Sequence, residues 1–270
     1  MNPPGKFYRL LLTGAAGGLG QVLRDRLKPL ATVLRVSDIA DLGPAREGEE
    51  VVTCDLGDKA AVHALVDGVD AIAHFGGISV EGPWDPILNA NIVGVFNLYE
   101  AARKHGVKRV VYASSNHVVG FYRQDQRIDA DDPMRPDGLY GVSKCFGESL
   151  SRLYFDRHGI ETVCLRIGSS FPEAKDRRML RTWLSYDDLV QLVTKSLVTP
   201  AVGHTIAFGA SRNAGLWWDN RKAAHLGFEP KDSADGQRER VESLGPPLDA
   251  ADPVALYQGG TFVTAGPFDD

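Results

Sequence analysis

A doubly wound α/β fold with a mainly parallel sheet is the architecture that this sequence predicts. Strand and helix signals alternate from residue 7 to about residue 208, a pattern typical of a parallel sheet wrapped by helices. The first strand signal, residues 7–13, runs directly into glycines at positions 14, 17 and 20 and then into a helical pattern. At 270 residues, 43% of them hydrophobic, the chain has the size of one large domain.

Residues 14–20 (Gly-Ala-Ala-Gly-Gly-Leu-Gly) have the spacing of a dinucleotide-binding turn. The first glycine permits a tight turn, the second lets a pyrophosphate approach the backbone, and the third allows the helix to pack on the strand. Amides at the helix N-terminus then face the phosphate charge. Together with the strand before it and the acid described next, the turn predicts a Rossmann-type cofactor site.

Asp38 is the residue that favours NAD over NADP. It ends a second strand, residues 32–37, where a carboxylate accepts hydrogen bonds from a ribose 2′-hydroxyl. The same carboxylate repels a 2′-phosphate, and the next residue is Ile39 rather than a basic one. Arg35 lies close in sequence, so residual use of NADP stays open.

The remaining elements continue the alternation in order. Helices are predicted over residues 21–30, from a cap at Asp58 to Val66, over 85–104 with a stop at Gly106, around Tyr140 and Lys144, and over 187–197. Strands are predicted at residues 51–53, 71–75, 107–114, 162–167 and 205–208. Residues 123–137 read as a surface loop, and the chain after residue 217 as irregular, with a short helix near residues 220–226.

Tyr140 and Lys144 lie four residues apart, so on a helix their side chains share one face. A phenol normally keeps its proton until about pH 10, but a neighbouring ammonium favours the phenolate and lowers that pKa. The pair is therefore a candidate general base that works near neutral pH.

Charge and cysteine content exclude several classes of function. The formal net charge is −5, which disfavours a nucleic-acid partner or an anionic membrane. No apolar stretch reaches transmembrane length, and residues 1–6 lack the apolar core of a signal peptide. Cys54, Cys145 and Cys164 are scattered without metal-like spacing, so we expect no metal site and a reduced, cytoplasmic setting.

Over roughly residues 7–210 these motifs together resemble the extended short-chain dehydrogenase/reductase superfamily. The resemblance rests on Thr13–Gly20, Asp38, Cys54–Leu56, His74–Gly77, Ala113–Gly120, and Tyr140 with Lys144. It implies that Ser115 joins Tyr140 and Lys144 in catalysis. It also implies a set of cofactor contacts, namely Gly14, Gly17, Gly18, Leu19, Gly20, Asp38, Asp55, Leu56, Phe75, Gly76, Tyr140, Lys144 and Ile167.

Nearly the whole chain is similar to one branch of that superfamily, the uronate dehydrogenases. The matching segments are Gly76–Glu81, Ser114–His117, Gly138–Glu148, Arg166–Ser169, Arg178–Leu180, Trp217–Asn220 and Gln258–Phe262. The branch oxidises the anomeric carbon of glucuronate or galacturonate with NAD and gives the aldarolactone. The resemblance implies that the sugar acid is contacted by Ser79, Ser115, Asn116, His117, Tyr140, Ser169 and Arg178.

These expectations define one NAD(P)-binding Rossmann domain over residues 1–270, with a small C-terminal substrate-binding portion. Its substrate-binding elements are placed at residues 169–185 and 210–270, and we expect a homo-oligomer. A uronate needs a cationic anchor, and Lys175, Arg177, Arg178 and Arg181 supply candidates beyond the sixth strand.

Two other functions remain open from sequence. A sugar-nucleotide epimerase or dehydratase would use the same catalytic residues and keep its NAD, although the region after residue 210 is short for a nucleotide-binding lobe. A non-catalytic NAD-sensing protein of this fold is the second, against which Ser115, Tyr140 and Lys144 speak, because a sensor needs no activated phenol.

Overall fold

Seven parallel strands form one sheet in the order β3-β2-β1-β4-β5-β6-β7. The structure is a computed structural model and describes residues 7–268. The strands are β1 (Phe7–Thr13), β2 (Ala31–Asp38), β3 (Glu49–Thr53), β4 (Ala71–His74), β5 (Arg109–Ser115), β6 (Glu161–Ile167) and β7 (His204–Gly209). The strand order reverses between β1 and β4, and in such sheets ligands bind at the carboxyl ends of the strands beside that switch point.

Helices cover both faces of the sheet, which confirms the doubly wound prediction. They are α1 (Gly18–Arg26), α2 (Lys59–Val66), α3 (Trp84–Ile87), α4 (Gly94–His105), α5 (Leu139–His158), α6 (Met179–Thr182), α7 (Tyr186–Val198), α8 (Arg238–Ser243) and α9 (Pro253–Leu256). One apolar core, containing Leu23 and Leu189, joins α1 and α7 to the sheet. A second, containing Val62 and Leu98, joins α2 and α4 to the other face.

The glycine turn between β1 and α1 needs its glycines for steric reasons. Gly14 has a φ of 73°, and a Cβ there would lie 2.4 Å from the backbone of Phe75. A Cβ on Gly20 would lie 1.9 Å from the carbonyl oxygen of Gly14. A Cβ on Gly18, by contrast, would meet open space. The turn therefore packs tightly against the protein backbone at Gly14 and Gly20, and it leaves free space at the helix N-terminus beside Gly18.

The predicted helix over residues 85–104 is one helical run with an irregular middle. Residues Leu88–Val93 adopt π-helical geometry between α3 and α4. In this segment the Asn91 side chain accepts from Ile78 N at 2.8 Å and donates to the Ser143 hydroxyl of α5 at 2.9 Å. The irregularity therefore fixes the loop after β4 against the helix that carries Tyr140.

The chain after residue 210 is more ordered than the sequence predicts. A 3₁₀ helix, Arg221–Leu226, confirms the short predicted helix, but α8, α9 and a 3₁₀ segment at Gly260–Thr264 were not predicted. Val241 of α8 packs with Ala174 and Leu180 next to the loop after β6. Among the residues that the structure describes, no helix combines the length and the apolar character needed to cross a bilayer.

Candidate active site

A cavity of about 1470 Å³ opens at the carboxyl edge of the sheet. Every residue predicted to bind cofactor, to bind substrate or to act in catalysis lines it. These are Gly14, Gly17, Gly18, Leu19, Gly20, Asp38, Asp55, Leu56, Phe75, Gly76, Ser79, Ser115, Asn116, His117, Tyr140, Lys144, Ile167, Ser169 and Arg178. Residues from β1 to the C-terminal segment are thus brought to one site.

The half of the cavity beside β1 and β2 fits a dinucleotide. The N-terminus of α1 has no side-chain cap, so its first amides are free to meet phosphate oxygens. Asp38 lies across the turn, where its carboxylate accepts from Ala16 N at 2.9 Å and from Ala40 N at 3.1 Å. These two contacts hold the carboxylate in place and leave it lone pairs for a ribose hydroxyl.

Arg35 lies away from this site, so it does not provide a partner for a 2′-phosphate. Its guanidinium pairs with Glu50 at 2.8 Å and donates to the carbonyl oxygens of Leu65 and Asp67 at the end of α2. Since α2 runs antiparallel to the strands, its C-terminus lies at the amino ends of the strands, whereas Asp38 lies at the carboxyl end of β2.

Replacing Asp38 with alanine is expected to weaken NAD binding and to narrow the preference for NAD over NADP. The change removes a hydrogen-bond acceptor for the 2′-hydroxyl and a charge that repels a 2′-phosphate. Measured dissociation constants for both cofactors test this, with Asp41→Ala as a control on the same loop. A native protein that binds the two cofactors equally would contradict the role given to Asp38.

Tyr140 and Lys144 occupy successive turns of α5 and are both buried. The Lys144 Nζ lies 5.5 Å from the Tyr140 ring centroid and donates to the Ala113 carbonyl at 2.9 Å. Burial raises the pKa of Tyr140 to about 12, an effect that the nearby Ser115 side chain opposes. Burial also lowers the pKa of Lys144 to about 8.

The sequence-based expectation that the pKa of Tyr140 lies below its usual value was wrong. Removal of the phenol from water is the dominant effect, and it disfavours the phenolate. The ammonium is itself desolvated and lies over the ring. The pairing of the two residues is confirmed, but sequence alone did not show how deeply both are buried.

A buried ion pair fixes Ser115 relative to α5. Glu148, one turn beyond Lys144, pairs with Arg166 of β6 at 2.9 Å and accepts from the Ser114 hydroxyl at 2.5 Å. Removing one partner of such a pair leaves a buried charge uncompensated, which typically costs about 3–5 kcal/mol. The network therefore locks the helix of Tyr140 to the strand that ends in Ser115.

Arg178 is held in the same cavity, among residues predicted to bind the substrate. Its Nε donates to the Gln258 carbonyl at 2.5 Å and its Nη1 to the Ser169 hydroxyl at 3.1 Å. With the Asn116 amide oriented to satisfy both of its ends, its oxygen accepts from Arg178 Nη2 at 2.7 Å and its nitrogen donates to the Ile167 carbonyl.

The other three candidate cations also line the cavity but have different partners. Lys175 lies over the Phe171 ring at 3.7 Å, Arg177 donates to the Glu242 and Gly245 carbonyls, and Arg181 donates to the Ala214 carbonyl. None of them contacts Ser169 or Asn116 in the part of the chain that the structure describes. Of the four candidate cations, Arg178 is therefore the one held beside Ser169 and Asn116.

Sequence reasoning missed several residues that shape the site. Glu81 accepts from the amides of Leu139 and Tyr140 and so caps α5 from the loop that carries Ser79. Asp137 accepts from His117 at 2.7 Å, and Phe262 stacks on the His117 ring. Glu81 and Phe262 lie in segments that carry the family resemblance, but no sequence pattern indicated what they contact. Their partners lie far away in the chain.

Comparisons with known proteins agree with this geometry. Residues 10–185 match the NAD dependent epimerase/dehydratase family. The chain is 65% identical to the uronate dehydrogenase of Pseudomonas putida, over 97% of this chain and 98% of that protein. The crystal structure of uronate dehydrogenase from Agrobacterium tumefaciens is 52% identical, has a TM-score of 0.95, and is matched over 98% of this chain and 99% of that one. A mutant of that enzyme complexed with NAD has a TM-score of 0.94 at 52% identity, over 96% of this chain and 98% of that one. The chain belongs to the uronate dehydrogenase family, within the NAD dependent epimerase/dehydratase family.

Proposed function

We propose that this protein oxidises the anomeric carbon of D-glucuronate and D-galacturonate to the aldarolactone. It is an NAD-dependent oxidoreductase whose substrate is a small uronic acid. The observation that carries the proposal is the position of Arg178. It is held by Ser169, Asn116 and the C-terminal segment in the same cavity as Tyr140, Lys144 and the NAD turn.

Tyr140 is the general base in this proposal. As phenolate it removes the proton of the C1 hydroxyl, and in this proposal the charge of the Lys144 ammonium on the same helix face opposes the effect of burial, which raises the pKa of this phenol. Ser115 donates a hydrogen bond to the reacting oxygen as it becomes a carbonyl. When bound, NAD supplies the hydride acceptor, held by the glycine turn, Asp38, Asp55, Leu56, Phe75, Gly76 and Ile167, while Lys144 also holds the nicotinamide ribose.

Arg178 fixes the carboxylate of the sugar acid and thereby orients C1 toward Tyr140. A guanidinium has five N–H donors, and three of them bond Gln258, Ser169 and Asn116. Five minus three leaves two donors that no described residue accepts, which is the number a bidentate carboxylate takes. The remote anchor sets orientation without taking part in the chemistry.

The substrate-binding elements proposed at residues 169–185 and 210–270 depend on each other. Ser169 and Arg178 lie in the first, and Gln258 and Phe262 in the second. The Gln258 carbonyl accepts from Arg178, while its side chain bonds Trp218 Nε1 and the carbonyls of Arg123 and Gln126. The C-terminal segment therefore helps to hold Arg178 in position.

An epimerase of the same superfamily is distinguished by the fate of its cofactor. It would retain NAD through purification and form no net NADH. Continuous NADH absorbance with D-glucuronate, on protein first shown to be free of NAD, separates the two reactions. Retained NAD together with zero net NADH would contradict the proposal.

An apolar face on α4 and α5 supports the expected homo-oligomer. Val93 at the end of the π-helical segment, Phe96 on α4, and Val142 and Leu153 on α5 are 37–46% exposed. Residues at positions 142 and 153 share one helical stripe, and exposed apolar clusters of this kind mark interfaces. We expect Phe96→Glu with Val142→Glu to shift the native protein to monomer in sedimentation, whereas Tyr8→Glu, at an exposed site elsewhere, should not. A monomeric native protein would contradict this.

A further inference from the structure

His117, which the family resemblance places against the sugar acid, forms a buried pair with Asp137, a residue to which the proposed reaction gives no role. The His117 Nδ1 lies 2.7 Å from the Asp137 Oδ2, and both side chains are nearly inaccessible to solvent. The loop before α5 supplies Asp137, while His117 follows Ser115 at the end of β5. Two elements of the active site thus meet in one hydrogen bond.

Two glycines lie close against the Asp137 carboxylate. A Cβ at Gly120 would lie 1.8 Å from its Oδ2, and a Cβ at Gly259 would lie 1.9 Å from the same atom. Two glycine backbones therefore close around the carboxylate, one from the 3₁₀ turn that follows β5 and one from the C-terminal segment. Its Oδ1 is buried and has no hydrogen-bond partner among the described residues. The His117 ring is therefore the side chain to which this carboxylate is hydrogen-bonded.

The imidazole is held equally firmly. Its ring stacks on Phe262 with centroids 3.7 Å apart, and the Tyr140 ring meets it at 5.8 Å in an edge-on arrangement. The His117 backbone amide donates to the Ser115 hydroxyl at 3.2 Å. Among the described residues nothing bonds the Nε2, and His117 lines the cavity. That nitrogen is the polar atom left for a ligand.

We propose that Asp137 is a positioning residue that holds His117 as the Nδ1–H tautomer, so that Nε2 accepts a hydrogen bond from a ring hydroxyl of the sugar. A carboxylate accepts hydrogen bonds and donates none, so Nδ1 must carry the proton in this pair. Burial lowers the pKa of His117 despite the opposing effect of Asp137, so Nε2 keeps its lone pair near neutral pH. The identity of the ligand rests on the proposed function.

The variant Asp137→Asn tests the inference because asparagine has nearly the size of aspartate and can donate a hydrogen bond to His117 Nδ1 instead of accepting one. An asparagine amide that donates to Nδ1 places the proton on Nε2 and turns the acceptor into a donor. We expect kcat/KM for D-glucuronate to fall about tenfold, mainly through KM, the size expected for a lost hydrogen bond. Asp125→Asn, an exposed aspartate, is the matched control and should leave kcat/KM unchanged.

A double-mutant cycle with His117→Ala separates action through His117 from a structural role. Asp137 also raises the pKa of Tyr140 and of Arg178 through its charge, and this contribution is present in both backgrounds. If Asp137 acts through His117, its substitution should cost less than about twofold once the imidazole is absent. An equal loss in both backgrounds would overturn the inference.

The tautomer itself is measurable without any substrate. ¹⁵N spectra of histidine-labelled native protein, with the His117 signals identified by their loss in His117→Ala, should show a protonated Nδ1 and a bare Nε2. A bare Nδ1 would refute the inference even if the enzyme oxidises uronates. Conversely, the expected spectrum in a protein that forms no NADH would refute the proposed function and leave the tautomer established.

Discussion

Tyr140→Phe is expected to lower kcat by about 10²–10⁴-fold while NAD binding persists. The phenylalanine keeps the ring that packs against His117 and Phe262 but removes the oxygen that takes the substrate proton. Because the Tyr140 hydroxyl is not needed for the Asp38 or glycine-turn contacts, cofactor affinity should change little. Initial rates of NADH formation and a separate NAD titration measure the two quantities.

Tyr154→Phe is a matched control for this experiment. It removes a phenolic oxygen from the same helix, but that hydroxyl donates to Glu100 at 2.9 Å, outside the cavity. Its kcat should remain close to that of the native protein. If Tyr140→Phe retained more than about a tenth of native turnover, Tyr140 would not be the base.

Arg178→Ala is expected to lower kcat/KM for D-glucuronate by about ten- to a hundredfold. Losing a hydrogen bond to a charged group costs about 1.5–3 kcal/mol, and the substrate carboxylate would be left without its partner in a partly desolvated cavity. Arg178→Lys should recover only part of the loss, since an ammonium lacks the bidentate fork. D-glucose lacks the carboxylate, so we expect it to be a poor substrate of the native protein and to show little further loss in the variant.

Arg177→Ala is the control for Arg178→Ala, because the adjacent guanidinium bonds Glu242 and Gly245 rather than Ser169 and Asn116. It should leave the discrimination between glucuronate and glucose unchanged. Equal losses on charged and neutral sugars in Arg178→Ala would show that this residue supports the fold or the cofactor instead.

Local patterns were sufficient to predict the strands and the cofactor turn. These signals depend on residues that are neighbours in sequence: the alternation of element types, the glycines before α1 and the cap at Asp58. The structure confirms the cap, because the Asp58 carboxylate accepts hydrogen bonds from Ala60 N and Ala61 N. The π-helical segment at Leu88–Val93 was missed because apolar periodicity does not record one inserted residue. The elements α8 and α9 were missed because short helices are held by tertiary contacts more than by propensity.

The sequence predicted the residues proposed to react with or bind the substrate, but it did not predict the residues that orient them. Tyr140 and Lys144 stand out by residue type and spacing, whereas only the family resemblance separated Arg178 from three neighbouring cations. Asp137 and Glu81 act through partners 20 and 59 residues away, so only the folded chain shows them. The direction of the pKa shift of Tyr140 was wrong for the same reason, since burial is a property of the fold.

In the proposed function, one cavity combines an NAD site with a carboxylate anchor for a sugar acid. The most direct test is the rate of NADH formation by the native protein with D-glucuronate and D-galacturonate, compared with D-glucose and D-galactose. The structure predicts substantial kcat/KM for both uronates, with one aldarolactone formed per NADH, and poor turnover of the neutral sugars. Equal kcat/KM for the acids and their neutral parents, or no NADH from either uronate, would contradict it.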